Sequence, residues 1–380
     1  MKIIHLADSH LGFSSYSRLD EHGQNRIEEM VYSGFEKAIE QIIRAHPDAV
    51  VHAGDVFHHV RPKIKPLFIF QRGLQRLVEA AIPVIIISGN HDAPKSFNQT
   101  SPFRLFEGIR DVHIAQRYRY ERFEVGDHSF HCIPFCLEPQ DYLTEFGEIK
   151  RSGRDVLVMH GMVESLKNQK MRSVGEHELN DSLLKSDFDY IALGHYHGQA
   201  QVAANAYYSG SVEYFNFGEA RDVKGMLLVD LETGKASNVP VKPNYMIDHP
   251  PIDCSGMRSD EIAEVIMELC HEEDILDRMV RINLKNVNRV AYRSIDQGKL
   301  NRLGGAAIYF KIRPDFSDEE DRIERPVDRR MLHVEFAGFM EERRSANLIP
   351  VAIKDEVVSY GTEIMKKAVL ARQKETTDAS

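Results

Sequence analysis

Asp8 and His10 stand directly after the apolar run 2–7, and Gly54-Asp55 likewise follows the apolar run 49–53. Gly89-Asn90-His91-Asp92 follows 84–88, His160 closes 156–159, and Gly194-His195-Tyr196-His197 closes 190–193. Carboxylate, imidazole and amide oxygen together suit borderline divalent ions such as manganese, iron or zinc better than an all-oxygen magnesium or calcium cage. Seven such groups (Asp8, His10, Asp55, Asn90, His160, His195 and His197) exceed what one tetrahedral ion takes. They match two ions that share a carboxylate and leave room for water, roughly 3.5–4 Å apart, the arrangement used for in-line attack on phosphate esters. A lone Asp or His at a strand end is ordinarily a loop or cap residue. Five such ends in one chain are hard to obtain from loop chemistry.

Short apolar runs bounded by glycine read as buried strands. In an open α/β sheet the ligand crevice lies outside the carboxyl ends of the strands, which is where all five segments fall. Between them, Ile27, Met30, Val31, Phe35, Ala38, Ile39 and Ile42 give 24–45 helical spacing, and 65–81 is a second helix ended by Pro83. The alternation over 1–235 predicts a largely parallel core. Shorter strands at 123–125, 129–133, 206–209 and 225–230 imply a second sheet packed on the first. The expected fold class is α/β, a four-layer α/β/β/α sandwich. Four prolines in 240–251 mark a boundary. Beyond it, a helix over 260–272 and strands at 279–284 and 306–312 make a smaller α+β unit. A highly charged stretch, 314–326, reads as a mobile linker. A last helix spans 354–372 before a polar tail, 373–380.

Composition bounds the function. The 380 residues are 42% apolar and 28% charged, ordinary for a globular protein with two or three domains. A net charge of −10 argues against a generally basic nucleic-acid coat, although not against a local basic groove. Cys132, Cys136, Cys254 and Cys270 lack zinc-ribbon spacing and read as buried thiols of a reducing compartment. No apolar run reaches membrane-spanning length and no signal peptide is expected, so a cytoplasmic, nucleoid-associated protein is expected. There is no P-loop motif.

The order Asp-x-His, Gly-Asp, Gly-Asn-His-Asp, His, Gly-His-x-His resembles the calcineurin-like metallophosphoesterases over 8–197. His5-Leu6-Ala7-Asp8-Ser9-His10-Leu11-Gly12, Gly54-Asp55-Val56-Phe57-His58 and Ile87-Ser88-Gly89-Asn90-His91-Asp92 are similar to the DNA double-strand-break repair nucleases of the meiotic-recombination-eleven type. The resemblance covers roughly 1–313. It implies that Asp8, His10 and His197 hold one metal, that Asn90, His160 and His195 hold a second, and that Asp55 bridges them. It makes His91 catalytic, placed to protonate or hydrogen-bond the departing oxygen; the plain alternative is a turn histidine. His58 would contact the DNA end or be an ordinary loop histidine. Asp92 either hydrogen-bonds His91 or caps the next turn. The implied organisation is a nuclease domain over 1–240, a DNA-binding cap over 241–313, a charged linker and extension over 314–353, and a partner-binding helix over 354–372.

DNA binding is expected mainly through phosphates. Candidates are His58, Arg61, Lys95 and the run with Lys167, Lys170 and Arg172, with Arg18, Arg26 and a cap cluster of Lys285, Arg289, Arg293, Lys299 and Arg302 behind them. Such runs are also ordinary solvated surface. The helix around 64–81 carries Leu67, Phe68, Ile69, Phe70, Leu74, Leu77 and Val78, more than one apolar stripe. With Phe103, Leu105 and Phe106, the surplus suggests a homodimer interface, the alternative being a doubly covered core helix. Val357, Gly361, Ile364 and Ala368 make 354–372 amphipathic, suited either to a partner's groove or to this chain's own core. The resemblance supplies an SMC-like coiled-coil ATPase as that partner. It implies a manganese-dependent nuclease with two divalent cations, acting 3′-to-5′ on double-stranded ends and endonucleolytically on single strands. A small-molecule phosphodiesterase of the same fold and a non-catalytic scaffold are the competing readings.

Overall fold

The computed structural model describes residues 1–15, 19, 23–95, 100–169, 178–185, 187–242, 244–317, 336, 340 and 359–364. Strands β1 (Lys2–Leu6), β2 (Ala49–His52), β3 (Val84–Ile87) and β4 (Val112–Ala115) run parallel in one sheet. Helix α1 (Arg26–Ala45) joins β1 to β2, and α2 (Ile64–Glu79) joins β2 to β3. Asn25 caps α1 by accepting from the amides of Ile27 and Glu28, and His46 ends it in the left-handed conformation.

Strands β5 (Glu121–Val125), β6 (His128–Ile133), β7 (Asp155–His160), β8 (Met162–Val163), β9 (Glu178–Leu179), β10 (Tyr190–Gly194), β11 (Ala200–Ala203) and β12 (Ala206–Tyr208) follow, with helix α3 (Pro139–Gly147) before β7. A second sheet has the order β11-β12-β10-β7-β6-β5, with β6, β7, β10 and β12 parallel. β13 (Met226–Asp230) and β14 (Lys235–Val239) return to the first sheet, giving the order β14-β13-β1-β2-β3-β4.

Alternation along the strands builds the layers. Ile4, Leu6, Val50, Val84 and Ile86 face α1 and α2, packing with Phe35, Ile39, Phe70 and Leu74. Their neighbours Ile3, Ala49, Val51, Ile85 and Ile87 face the second sheet, meeting Phe130, Val156, Val158, Tyr190 and Ala192. Leu157, Met159, Ile191 and Leu193 face outward beneath Tyr142 of α3. The α/β/β/α sandwich is the fold the sequence implied.

Three expectations need correction. The strand at 225–230 pairs with β1, register Lys2↔Asp230, and not with the second sheet. The five motif-bearing strands divide between the sheets, so the crevice is a seam between two sheets and not the edge of one. Phe103 and Phe106 are buried in the core with Phe70 and Phe57, so they are no part of an interface; among the described residues the exposed apolar groups near α2 are Ile64, Phe68 and Leu105.

The chain divides into two compact units: Met1–Ile252 with Asp260–Leu284 and Ile295–Arg313, and Asp253–Ser259 with Lys285–Ser294 and 314–380. In the first, Met246–Asp248 pairs parallel with Met279–Arg281, and helix Ser259–Glu268 buries Ile262 and Ile266. The last strand runs Tyr309–Phe316, so the first residues of the expected linker lie in it. Of the C-terminal helix, 359–364 is helical and the rest of 354–372 lies outside the described residues. All four cysteines are free and buried. Among the described residues no helix is long and apolar enough to cross a membrane.

Candidate metal centre

The carboxyl ends of β1, β2 and β3 in one sheet and of β7 and β10 in the other open on the same seam. The loops there are stitched main chain to main chain: Asp8 N–H donates to Gly54 O at 3.0 Å and His10 N–H to Asp55 O at 3.0 Å. Asp8, His10, Asp55 and His195 all hold positive φ, at 53°, 43°, 54° and 95°. Such residues cost roughly 1–3 kcal/mol each and persist only where their surroundings fix them. Close approach explains the glycines of the motifs. A Cβ on Gly54 would strike the His160 ring, and one on Gly89 would strike the Asp55 carboxylate.

The seven sequence-predicted groups meet. Nε2 of His10 and Nε2 of His197 are 3.1 Å apart. Asp55 Oδ2 sits between the halves, 3.7 Å from His10 Nε2 and 3.5 Å from His160 Nε2. Asn90 Oδ1 lies 3.0 Å from His160 Nε2 and 2.9 Å from His195 Nδ1. Asp8, His10 and His197 form one set whose donor atoms lie within 4.8 Å of one another, and Asp55, His160 and His195 a second. All are buried except His195 and His197, which are partly exposed.

The donor set fits cations. His160 Nδ1 lies 2.8 Å from Ala53 O, and donation there aims Nε2 at Asp55 and Asn90. His197 Nδ1 lies 3.0 Å from Glu219 Oε1, aiming Nε2 at His10. Burial depresses the His160 imidazole, but the Asp55 carboxylate outweighs it and lifts the group to about 9. Burial also acts against Asp55, yet His160 and His10 hold that carboxyl well below its ordinary range. Burial pushes Asp8 up to about 6 against the pull of His197 and His160. The two carboxylates thus demand positive charge in the seam, which a proton or a metal ion supplies.

His91 is fixed at both ends: its N–H donates to Asp55 Oδ1 at 2.9 Å, and its Nδ1 lies 3.1 Å from His58 O. Its ring stacks on His58, centroids 5.0 Å apart, and meets His10 edge-on at 4.8 Å. His58 lies closer to the centre than the sequence suggested, its Nδ1 3.4 Å from His10 Nδ1; burial and the neighbouring His91 and His59 lower it to about 4. Asp92 caps the loops and does not bond His91: its carboxylate accepts from Gly89 N–H and Val56 N–H, each at 2.6 Å, and from Phe57 N–H at 3.3 Å. Arg61 and Lys95 are exposed, Lys167 falls in helix Glu164–Gln169, and Arg18, Lys170 and Arg172 lie outside the described residues. Arg26 pairs with Asp277 at 3.3 Å.

Sequence reading missed Glu219 and Lys224. Glu219 binds His197, and Lys224 Nζ donates to Glu219 Oε2 at 2.8 Å, Ser211 Oγ at 2.9 Å and the His197 carbonyl at 2.9 Å. The one available signal was a carboxylate embedded among Tyr214, Phe215 and Phe217. His52, which reaches Ser9 Oγ at 2.8 Å, was missed as well.

Residues 1–221 match the model of the calcineurin-like phosphoesterases. The chain belongs to that family. It is 30% identical over 271 residues to the DNA double-strand break repair protein Mre11 of Methanococcus maripaludis, covering 65% of this chain and 69% of that one. The Mre11 of Sulfurisphaera tokodaii is 25% identical over 345 residues, covering 86% and 84%. A component of the nuclease SbcCD of Staphylococcus saprophyticus is 26% identical over 321 residues, covering 77% and 80%. Within the family, the chain is of the Mre11 type.

Proposed function

We propose that the chain is a manganese-dependent DNA nuclease of double-strand-break repair, acting 3′-to-5′ on double-stranded ends and as an endonuclease on single strands. The observation that carries the reading is the pair of ligand sets joined at Asp55. Asp8, His10 and His197 would hold one cation, Asn90, His160 and His195 the other, and Asp55 would touch both. Bound there, two divalent cations supply Lewis acidity and an activated water for attack on phosphorus. The chain's own groups do the rest. The main-chain stitching of the β1 and β2 loops fixes the separation of the carboxylates. With Nδ1 engaged by the His58 carbonyl, His91 presents Nε2 as the atom that protonates the leaving oxygen. His58, Arg61, Lys95 and the run carrying Lys167, Lys170 and Arg172 would meet the DNA, with the basic residues of 241–313 as a cap.

The relatives' names support a partner as well. An SMC-like coiled-coil ATPase is proposed to engage 354–372, and Ile64 and Phe68 are proposed to lie in a homodimer interface. Metal content and manganese-dependent cleavage of an end-labelled duplex test the core of the reading. Two bound ions with processive loss of label support it. A single ion, or no cleavage by a fully loaded protein, would sink it.

A further inference from the structure

A cavity of about 730 Å³ opens beside the Gly89-Asn90-His91 loop and takes no part in the metal centre. Its lining comes from Pro94 and Lys95, from positions between 100 and 107, from 116–118 at the end of β4, and from Leu137. Two main-chain bonds tie it to the loop: Ser88 N–H donates to Ala115 O at 2.9 Å, and Phe135 N–H donates to Ser88 O at 2.9 Å. The volume falls within the usual span of small-ligand sites, roughly 300–1,000 Å³.

The wall chemistry is uneven. Lys95, Arg104 and Arg117 line it with a single carboxylate, Glu107, so the rim carries three cations against one anion in a chain whose net charge is −10. Glu107 is already engaged by Arg117 at 3.5 Å and by Gln116 Nε2 at 2.6 Å. Among the described residues Lys95 and Arg104 make no ion pair. Gln116 is 6% exposed, and among the described residues its Oε1 has no hydrogen-bond partner, nor has the buried hydroxyl of Tyr118. A buried polar atom without a partner is costly, and Gln116 Oε1 is open to a donor that the described residues do not supply. Tyr118 also holds φ 57°, and its ring, with Leu137 and Pro94, gives the cavity flat apolar surface. Strained backbone of this kind concentrates at ligand clamps.

An anionic group at the rim, a planar apolar body and a hydrogen-bond donor reaching Gln116 Oε1 together describe one ligand class. We propose that this cavity is a nucleotide subsite: Arg104 and Lys95 take the phosphate, Tyr118 and Leu137 flank the base, and Gln116 Oε1 accepts from a base N–H. The nucleotide is either one unit of an unpaired strand or a released mononucleotide. The strand source rests on the nuclease reading; the chemistry of the cavity does not. In this site Gln116 distinguishes a base from a bare sugar phosphate, because with the phosphate held at Arg104 and Lys95 it is the base N–H, and not a sugar hydroxyl, that is placed to reach its oxygen.

The test uses the full chain in EDTA, so that nothing is cleaved, with dCMP, 2-deoxyribose 5-phosphate and a single-stranded oligonucleotide ending in 2-aminopurine as probes. The chain has no tryptophan, which leaves the 2-aminopurine signal clean. Arg104 is exposed, so Arg104→Glu keeps the fold and is expected to weaken dCMP and the sugar phosphate alike by about tenfold or more. Gln116→Leu is expected to weaken dCMP by about tenfold while leaving the sugar phosphate within about twofold. An oligonucleotide bound far more tightly than dCMP identifies the strand as the source; equal affinities identify the released mononucleotide. Unchanged dCMP binding in Arg104→Glu overturns the subsite, as does a Gln116→Leu variant that loses both ligands equally. If the wild type cleaves with manganese while both variants bind normally, the subsite fails and the nuclease reading stands. The reverse pattern removes the nuclease reading alone.

Discussion

Asp8, His10, Asp55 and Asn90 descend from one sheet and are held by main chain, whereas His160, His195 and His197 descend from the other and are held by what their side chains and amides touch. In the first group the loops bond each other directly, Asp8 N–H to Gly54 O and His10 N–H to Asp55 O, with Asp92 closing three further amides. In the second group His160 leans on Ala53 O, the His195 amide donates to both Asp8 carboxylate oxygens at 3.0 Å, and His197 depends on Glu219. The second half is therefore built upon the first. Damage to the first should spread across the seam; damage to the second should stay local.

The largest effect is expected at the shared residue. Asp55→Ala should lose both ions and reduce cleavage by roughly 10⁴-fold or more, since groups acting as a unit fail together. Retention of one ion by this variant, seen in metal content, would break the claim that the halves meet at Asp55. His91→Gln should keep both ions and still lose turnover by roughly 10²–10³-fold. If metal is lost instead, His91 is structural.

Glu219→Gln probes the second half alone, and should weaken metal binding by roughly 10–100-fold while Asp8 and Asp55 stay in place. It also carries a pH signature. Burial resists ionisation of Glu219, but His197 and Lys224 hold it down, from 4.5 to about 2. A depressed carboxylate contributes stability that is complete above its unfolded value and is lost as pH falls through its folded value. The metal-free wild type should therefore lose about 3 kcal/mol between pH 4.5 and 2 that Glu219→Gln does not lose. Parallel denaturation curves for the two proteins would refute the coupling. The smallest effect is expected far from the seam. Phe68→Ser, at an exposed position, should change monomer stability by less than about 0.5 kcal/mol while shifting the proposed dimer toward monomer in sedimentation.

The ligands of both halves could be read beforehand, because each half leaves marks in the chain: apolar runs, then the glycines that close approach demands, Gly54 and Gly89 in the first and Gly194 in the second, where a Cβ would strike Ala53 O. The layers were legible from alternation, since Val156 and Leu157 are both apolar and must each be covered. Sheet membership was not, because a strand buried on both faces reads the same in either sheet; that is why Met226–Asp230 was expected in the wrong one. Phe103 and Phe106 misled for a similar reason, as an aromatic bound for the core and one bound for a partner look alike. Glu219 and Lys224 satisfy each other through space, and no spacing rule anticipates such a pair.

Because the reacting groups straddle two ladders that share no strand-to-strand pairing among the described residues, and meet through packed side chains and isolated hydrogen bonds such as Phe135 N–H to Ser88 O, the protein has a weak direction that neither ladder has by itself. Lateral slippage of one sheet would part atoms now about 3 Å apart while every strand kept its neighbours. Thermal inactivation should accordingly run ahead of the loss of circular dichroism, with function failing before the architecture does.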